Sequence, residues 1–178
     1  MLNRYLGQIG QDRTVVRFLL NHYGPTGNER FDDAGTIMTT GSVKVPMPFQ
    51  TGIIESVIYE NTSDFSLNTR LSHRLWFFQN TITSAVRGSA KAFTSAEMDS
   101  VVGAFDIRNP GDSDPPNDDL WIPGINTVPY ANIIHKEVNI PFVINSEYPV
   151  LDVVQEYIGT GTTLYDRYLH CYLIIKRD

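Results

Sequence analysis

The sequence holds a single cysteine, Cys171, in 178 residues. One thiol excludes an internal disulfide framework and any zinc site built from cysteines alone. Basic residues are scarce as well: 14 Lys and Arg stand against 20 Asp and Glu, for a net charge of −6 and a pI near 5.1. Affinity for nucleic acid through counterion release needs a basic face, so no direct nucleic-acid binding is expected. The adjacent basic pair Lys176 and Arg177 reads as a solvated terminus. No apolar run approaches the roughly 20 residues of a membrane-spanning helix, and residues 1–10 lack the apolar central region of a signal peptide. The expectation is a protein without a membrane partner, made in a reducing cytoplasm, whose Cys171 is a buried core thiol.

Signatures of chemistry are missing too. Gly159-Thr-Gly161 lies between two strand-like runs and no Gly-Lys-Ser/Thr follows, so it is not a phosphate loop; no Gly-x-Ser-x-Gly nucleophile elbow occurs. His22, His73, His135 and His170 are far apart in sequence, and none has the spacing of a metal pair. Strand alternation points His170 away from its neighbour Cys171, which argues against a Cys–His dyad. Asp112-Ser-Asp114 begins like a calcium loop, and Asp118 and Asp119 add oxygen ligands, but the glycine and glutamate of an EF-hand do not follow. Glu55, Glu60, Glu137, Glu147 and Glu156 lie in or near strands, yet nothing pairs two of them across a cleft. No catalytic residue, cofactor or metal is expected, and the chain reads as non-enzymatic.

What the chain does contain is β-structure. Apolar residues make up 42% and charged residues 19%, and much of the rest is Thr, Ser, Asn and Gly, a mixture that suits strands joined by many turns. The run Leu164–Lys176 puts Leu169, Cys171, Leu173 and Ile175 on one face, with Tyr168, His170, Tyr172 and Ile174 on the other. Apolar content on both faces marks a central strand. Leu71–Asn80, with Leu75-Trp-Phe-Phe78, has the same character and is expected beside it, and Gly159–Thr162 is expected to join Val150–Ile158 to the last strand as a hairpin. Thr36–Thr40, Ser42–Val45, Ile53–Glu60, Asn132–His135 and Glu137–Ile144 read as further strands. Asp12–Gly24 fits either helix or strand, and its β-like surroundings favour strand. Thr94-Ser-Ala-Glu97 is a capping box, and Met98, Val101, Val102 and Phe105 after it fall on one helical face, which predicts a short core-packed helix over about residues 95–105. Asn109–Asp119 is an exposed loop, with Trp121 as an anchor at its base.

The pattern is mainly β and fits an antiparallel two-sheet β-sandwich or jelly-roll-like fold with one short helix and long loops. Residues 13–178 form its single domain. Residues 1–12 form an N-terminal arm or short helix, since Leu2, Tyr5, Leu6 and Ile9 share one helical face while Gly7 and Gly10 weaken it. Short Thr- and Asn-rich strands, proline-broken loops such as Pro46-Met-Pro48 and Pro115-Pro116, and a strand running almost to Asp178 give a texture that resembles the β-sandwich and jelly-roll structural proteins of virus and bacteriophage particles. That resemblance implies a virion component, either a capsid decoration (cement) protein or a minor neck, tail or baseplate protein, assembled in the host cytoplasm. Its implied partners are capsid or tail subunits and further copies of itself in a homo-oligomer. Leu2, Tyr5, Leu6, Ile9 and Trp121 are the candidate protein-interaction residues. The alternative is a carbohydrate-binding β-sandwich module that uses Tyr165, Tyr168, Tyr172, Trp76, Phe77 and Phe78 as a stacking platform.

Overall fold

Alternation of apolar and polar side chains dominates the chain, and strands follow from it. The computed structural model describes residues 4–8, 12–21, 28–31, 34–39, 41–61, 73–107, 122–123, 132–159, 162–165 and 168–178. In chain order the strands are β1 (Arg4–Gln8), β2 (Arg13–Asn21), β3 (Asn28–Phe31), β4 (Thr36–Ile37), β5 (Val43–Pro46), β6 (Thr51–Asn61) and β7 (His73–Phe78). A single-turn helix α1 (Ser95–Met98) precedes β8 (Val101–Ile107), β9 (Ile122–Pro123), β10 (Asn132–Val143), β11 (Val150–Tyr157), β12 (Thr162–Tyr165) and β13 (Tyr168–Arg177).

Two antiparallel sheets pack face to face as a β-sandwich. One has the order β1-β2-β13-β6-β10-β9; the other runs β4-β11-β7-β8, with β5 also pairing β11, and β12 and β3 form a separate ribbon. Side chains from both larger sheets make one core: Val16, Phe18 and Leu20 from β2, Val57 and Tyr59 from β6, and Leu173 and Ile175 from β13 meet Leu75 and Phe77 from β7 and Leu151 and Val153 from β11. Each buried aliphatic side chain of this set contributes about 1.5–3 kcal/mol relative to exposure. β13 is a central strand as its sequence predicts, flanked by β2 and β6, with Cys171, Leu173 and Ile175 at 0% exposure, but it begins at Tyr168: Leu164 and Tyr165 of the expected run belong to β12. The ambiguous segment after Asp12 is strand, as its surroundings favoured.

The second sheet explains where several expectations change. β7 does not lie beside β13 but between β11 and β8 in the opposite sheet. Its two apolar faces have different covers: Leu75 and Phe77 enter the central core, while Phe78 joins Ile37, Ile82, Ala85 and Val154 in a second cluster, with Trp76 and Phe93 packed against it. The cover on that outer face is a strap, residues 79–93, held by carboxylates. Ile82 N–H donates to Asp152 (2.9 Å), and the next two amides, Thr83 and Ser84, donate to Glu97 (2.8 and 3.0 Å). Lys91 Nζ reaches Glu156 at 2.9 Å, and Trp76 Nε1 donates to the same carboxylate at 2.6 Å.

The expected hairpin between Val150–Ile158 and the last strand is replaced by a change of sheet. β11 is already paired on both sides, by β7 on one and by β4 and β5 on the other, so β13 has no free edge there; β12 pairs with β3 instead. The helix is shorter than the 95–105 expected. Its capping box forms, with Thr94 as N-cap and Glu97 returning to the Thr94 N–H, but it ends at Met98. Val101, Val102 and Gly103 are poor helix formers, and their stretch is claimed by the ladder to β7. Met98, placed by periodicity on a core face, is 43% exposed. At the N-terminus, Arg4–Gln8 are extended and not helical, pairing with β2 across a register shift between Tyr5 and Gly7. The two stretches Asn132–His135 and Glu137–Ile144 are one strand, β10, with a bulge between Glu137 and Ile140 where Asn139 adopts φ 50°. Asparagine tolerates that left-handed conformation better than most residues.

Candidate functional site

Three prolines border strands β5, β6 and β11 at one end of the sandwich and help shape its surface. β5 closes at Pro46, Pro48 interrupts the link to β6, and Pro149 precedes β11. Lacking an N–H, proline donates no ladder bond, which favours strand ends and loops at these links. They run side by side because Val150 pairs with Pro46 and Val143 with Thr51. Three hydrogen bonds lock them together: Met47 N–H to the Pro149 carbonyl (2.8 Å), Ile144 N–H to the Gln50 carbonyl (2.7 Å) and Gln50 Nε2 to the Ser146 carbonyl (2.8 Å). Between them lies a groove of about 350 Å³ lined by residues 46–50 and 147–150.

The groove has a buried floor and an exposed aromatic wall. Met47 belongs to the central core, whereas Tyr148 is 78% exposed. The Tyr148 backbone is nevertheless held: the Ser146 hydroxyl accepts from the Tyr148 N–H at 3.2 Å and donates to the Tyr148 carbonyl at 3.1 Å. An exposed ring on a backbone so fixed loses little further entropy when it docks. Phe49 lines the groove as well, and the Arg177 guanidinium, which is not part of the lining, lies over its ring at 5.5 Å from the centroid. Glu147 and Arg177 are both exposed, and among the described residues neither is in an ion pair.

The polar groups inside the sandwich are placed for structure. Gln155 Nε2 donates to the Tyr59 hydroxyl at 3.2 Å, and the His73 ring lies 4.7 Å from that of Tyr59. Burial, reinforced by the neighbouring Cys171, pushes the Tyr59 hydroxyl well above its ordinary range against the opposing Gln155 bond. Burial likewise pushes up the Cys171 thiol, so it stays protonated and is a poor nucleophile. His170 contacts Arg17 on the other face of β13, as alternation predicts. Glu55 is held by Arg13 through two bonds of 2.7 and 3.0 Å, whose hydrogen bonding lowers the carboxyl pKa. Among the described residues no three His, Cys, Asp or Glu side chains converge on a metal-sized site.

Of the residues singled out in the sequence, Tyr5 and Leu6 lie in β1, and Leu2, Ile9, Trp121, His22 and the acidic loop Asn109–Asp119 lie outside the described residues. Phe77 and Phe78 of the aromatic platform are fully buried, and the Trp76 indole is engaged by Glu156. Of the groove residues, Phe49 and Tyr148 were not singled out, and Glu147 was weighed only as one of five carboxylates in or near strands. Their signal was a tyrosine in the turn Asn145-Ser-Glu-Tyr-Pro149, where a strand connection calls for polar residues. Compared with protein-family models, with curated proteins and with solved structures, the chain matches none.

Proposed function

We propose that this β-sandwich is a non-enzymatic structural component of a virus or phage particle, a capsid decoration (cement) protein or a minor neck, tail or baseplate protein, that works by adhesion to neighbouring subunits. Its place is the virion, reached by assembly in the host cytoplasm. The observation that supports an adhesive role most directly is Tyr148: a large aromatic side chain, 78% exposed, on a hydrogen-bonded turn beside a preformed groove. Aromatic anchors seated in pockets carry most of the energy of protein interfaces, and a rigid presentation lowers the entropy lost on docking. Symmetry in a particle then repeats a modest contact many times.

Co-sedimentation tests this reading. Wild-type protein is expected to travel with assembled particles through a density gradient, and Tyr148→Ala to be released into the soluble fraction with an unchanged melting temperature. Wild-type protein that remains in the soluble fraction throughout assembly contradicts the proposal.

A further inference from the structure

Both sheets of the sandwich end on the same side. β10 closes the first sheet apart from the short β9, which pairs with only Asn132 and Ile133, and β8 closes the second. The two edges touch: a Cβ on Gly103 of β8 would meet the Ile140 side chain of β10, and Lys136 Nζ of β10 donates to the Asp106 carbonyl of β8 at 2.9 Å. Beyond Ile133, no strand among the described residues pairs with the outer side of β10 or with that of β8. Unpaired backbone N–H and C=O groups along strands of twelve and seven residues are a template on which another chain can pair.

Three features of β10 work against such pairing. The register to β6 shifts between Glu137 and Ile140, and Asn139 takes φ 50°, which breaks the regular spacing of donors and acceptors in the middle of the edge. Pro141 has no N–H to offer a further strand, and proline inside a sheet is tolerated where that N–H would face solvent. Lys136 stands opposite Val57, a residue of the central core, so its stem leaves β10 on the inner face and carries the ammonium across to β8. A strand added to β10 would extend the sheet over this ammonium and take it further from water, at a cost in desolvation. We infer that β10 is a guarded edge: its bulge, its proline and its inward lysine together refuse a strand from a second copy or from another β-rich chain, and so hold off self-association by strand addition on this side of the sandwich. The guard holds whether or not the protein assembles on a particle.

Hydrogen exchange followed amide by amide on the full chain, with sedimentation velocity over a concentration series, tests the guard. The variants are Lys136→Met, which keeps the stem and removes the charge, Pro141→Thr, which restores an N–H, and the two together. Arg177→Thr, which removes an exposed cation from β13, is the control, and thermal melts check that each variant is folded. In wild type the β10 amides facing away from β6 are expected to exchange freely at every concentration. The double variant is expected to self-associate at a concentration at least about tenfold lower than wild type, with those amides at least about tenfold slower to exchange once it does. Each single variant should show the same change to a smaller extent, so either carries the test if the double does not fold, and the control should match wild type. Wild-type amides on that side already protected at the lowest concentration would overturn the inference, since the edge would then be covered. So would variants that associate no more than wild type, or that associate while the β10 edge still exchanges freely.

Discussion

Glu97 shows how much one side chain holds in this molecule. Its carboxylate accepts from the Thr83 and Ser84 amides, from the Ser84 hydroxyl at 2.5 Å and from the Thr94 amide at 2.9 Å, so it caps the helix and anchors the strap at once. Burial alone would raise its pKa, but the bond from the Ser84 hydroxyl and those from the Thr94, Thr83 and Ser84 amides prevail and hold it at about 2. A carboxylate depressed on folding stabilises the native state above its unfolded pKa, near 4.5, and loses that contribution as pH falls towards about 2. Glu97→Gln turns an amide donor towards donors and is expected to cost about 2 kcal/mol at neutral pH. In urea unfolding at pH 7, 4 and 3 the gap between variant and wild type should narrow as the pH falls. A gap independent of pH would show that the charge is not what holds the strap. Half of this was legible in the sequence: Thr94-Ser-Ala-Glu97 announced the cap. The strap bonds were not, because Thr83 and Ser84 carry no mark that their amides seek a carboxylate.

Among the elements, two glycines report how tightly strands and sheets approach. A Cβ on Gly52 of β6 would fall inside contact distance of the Lys176 backbone carbonyl and 3.1 Å from the Phe142 ring. A Cβ on Gly103 of β8 would meet Ile140 Cγ2 at 2.8 Å, an atom on a branched Cβ, so relief takes a shift of the Ile140 side chain but not of a backbone carbonyl. Gly52→Ala is therefore expected to destabilise by about 2–3 kcal/mol and Gly103→Ala by about 1 kcal/mol, offset in part by the lower entropy of the unfolded chain. Urea midpoints that reverse this order would contradict the packing described. The same β8 shows why local periodicity misleads. Met98, Val101, Val102 and Phe105 fit a helical face, but Phe105 and Ile107 are buried at a period of two, and pairing with β7 decides the outcome. The spacing is that of a helical face, but over so short a stretch it is a weak signal that strand pairing overrides. β7 misled in another way. Apolar content on both faces means that both are covered, and the pattern cannot tell a second sheet from a strap.

At the scale of the whole molecule, the mainly β character, the two-sheet sandwich and the central place of the last strand were legible because alternation is a local property repeated along the chain. Sheet membership was less so: it depends on which edges are already occupied, as the pairing of β11 on both sides shows. The groove was least legible. Phe49 and Tyr148 are neighbours only because β5 pairs with β11 and β6 with β10, and both pairings join distant parts of the sequence. The central claim is that this end of the sandwich is its working surface, and a photo-crosslinking amino acid tests it most directly. Placed at position 148 in the assembled state, the probe is expected to yield covalent adducts with a second copy or a particle subunit. Placed at Val86, which is 57% exposed on the strap, it should yield none. Adducts at position 86 with none at position 148 would contradict the account.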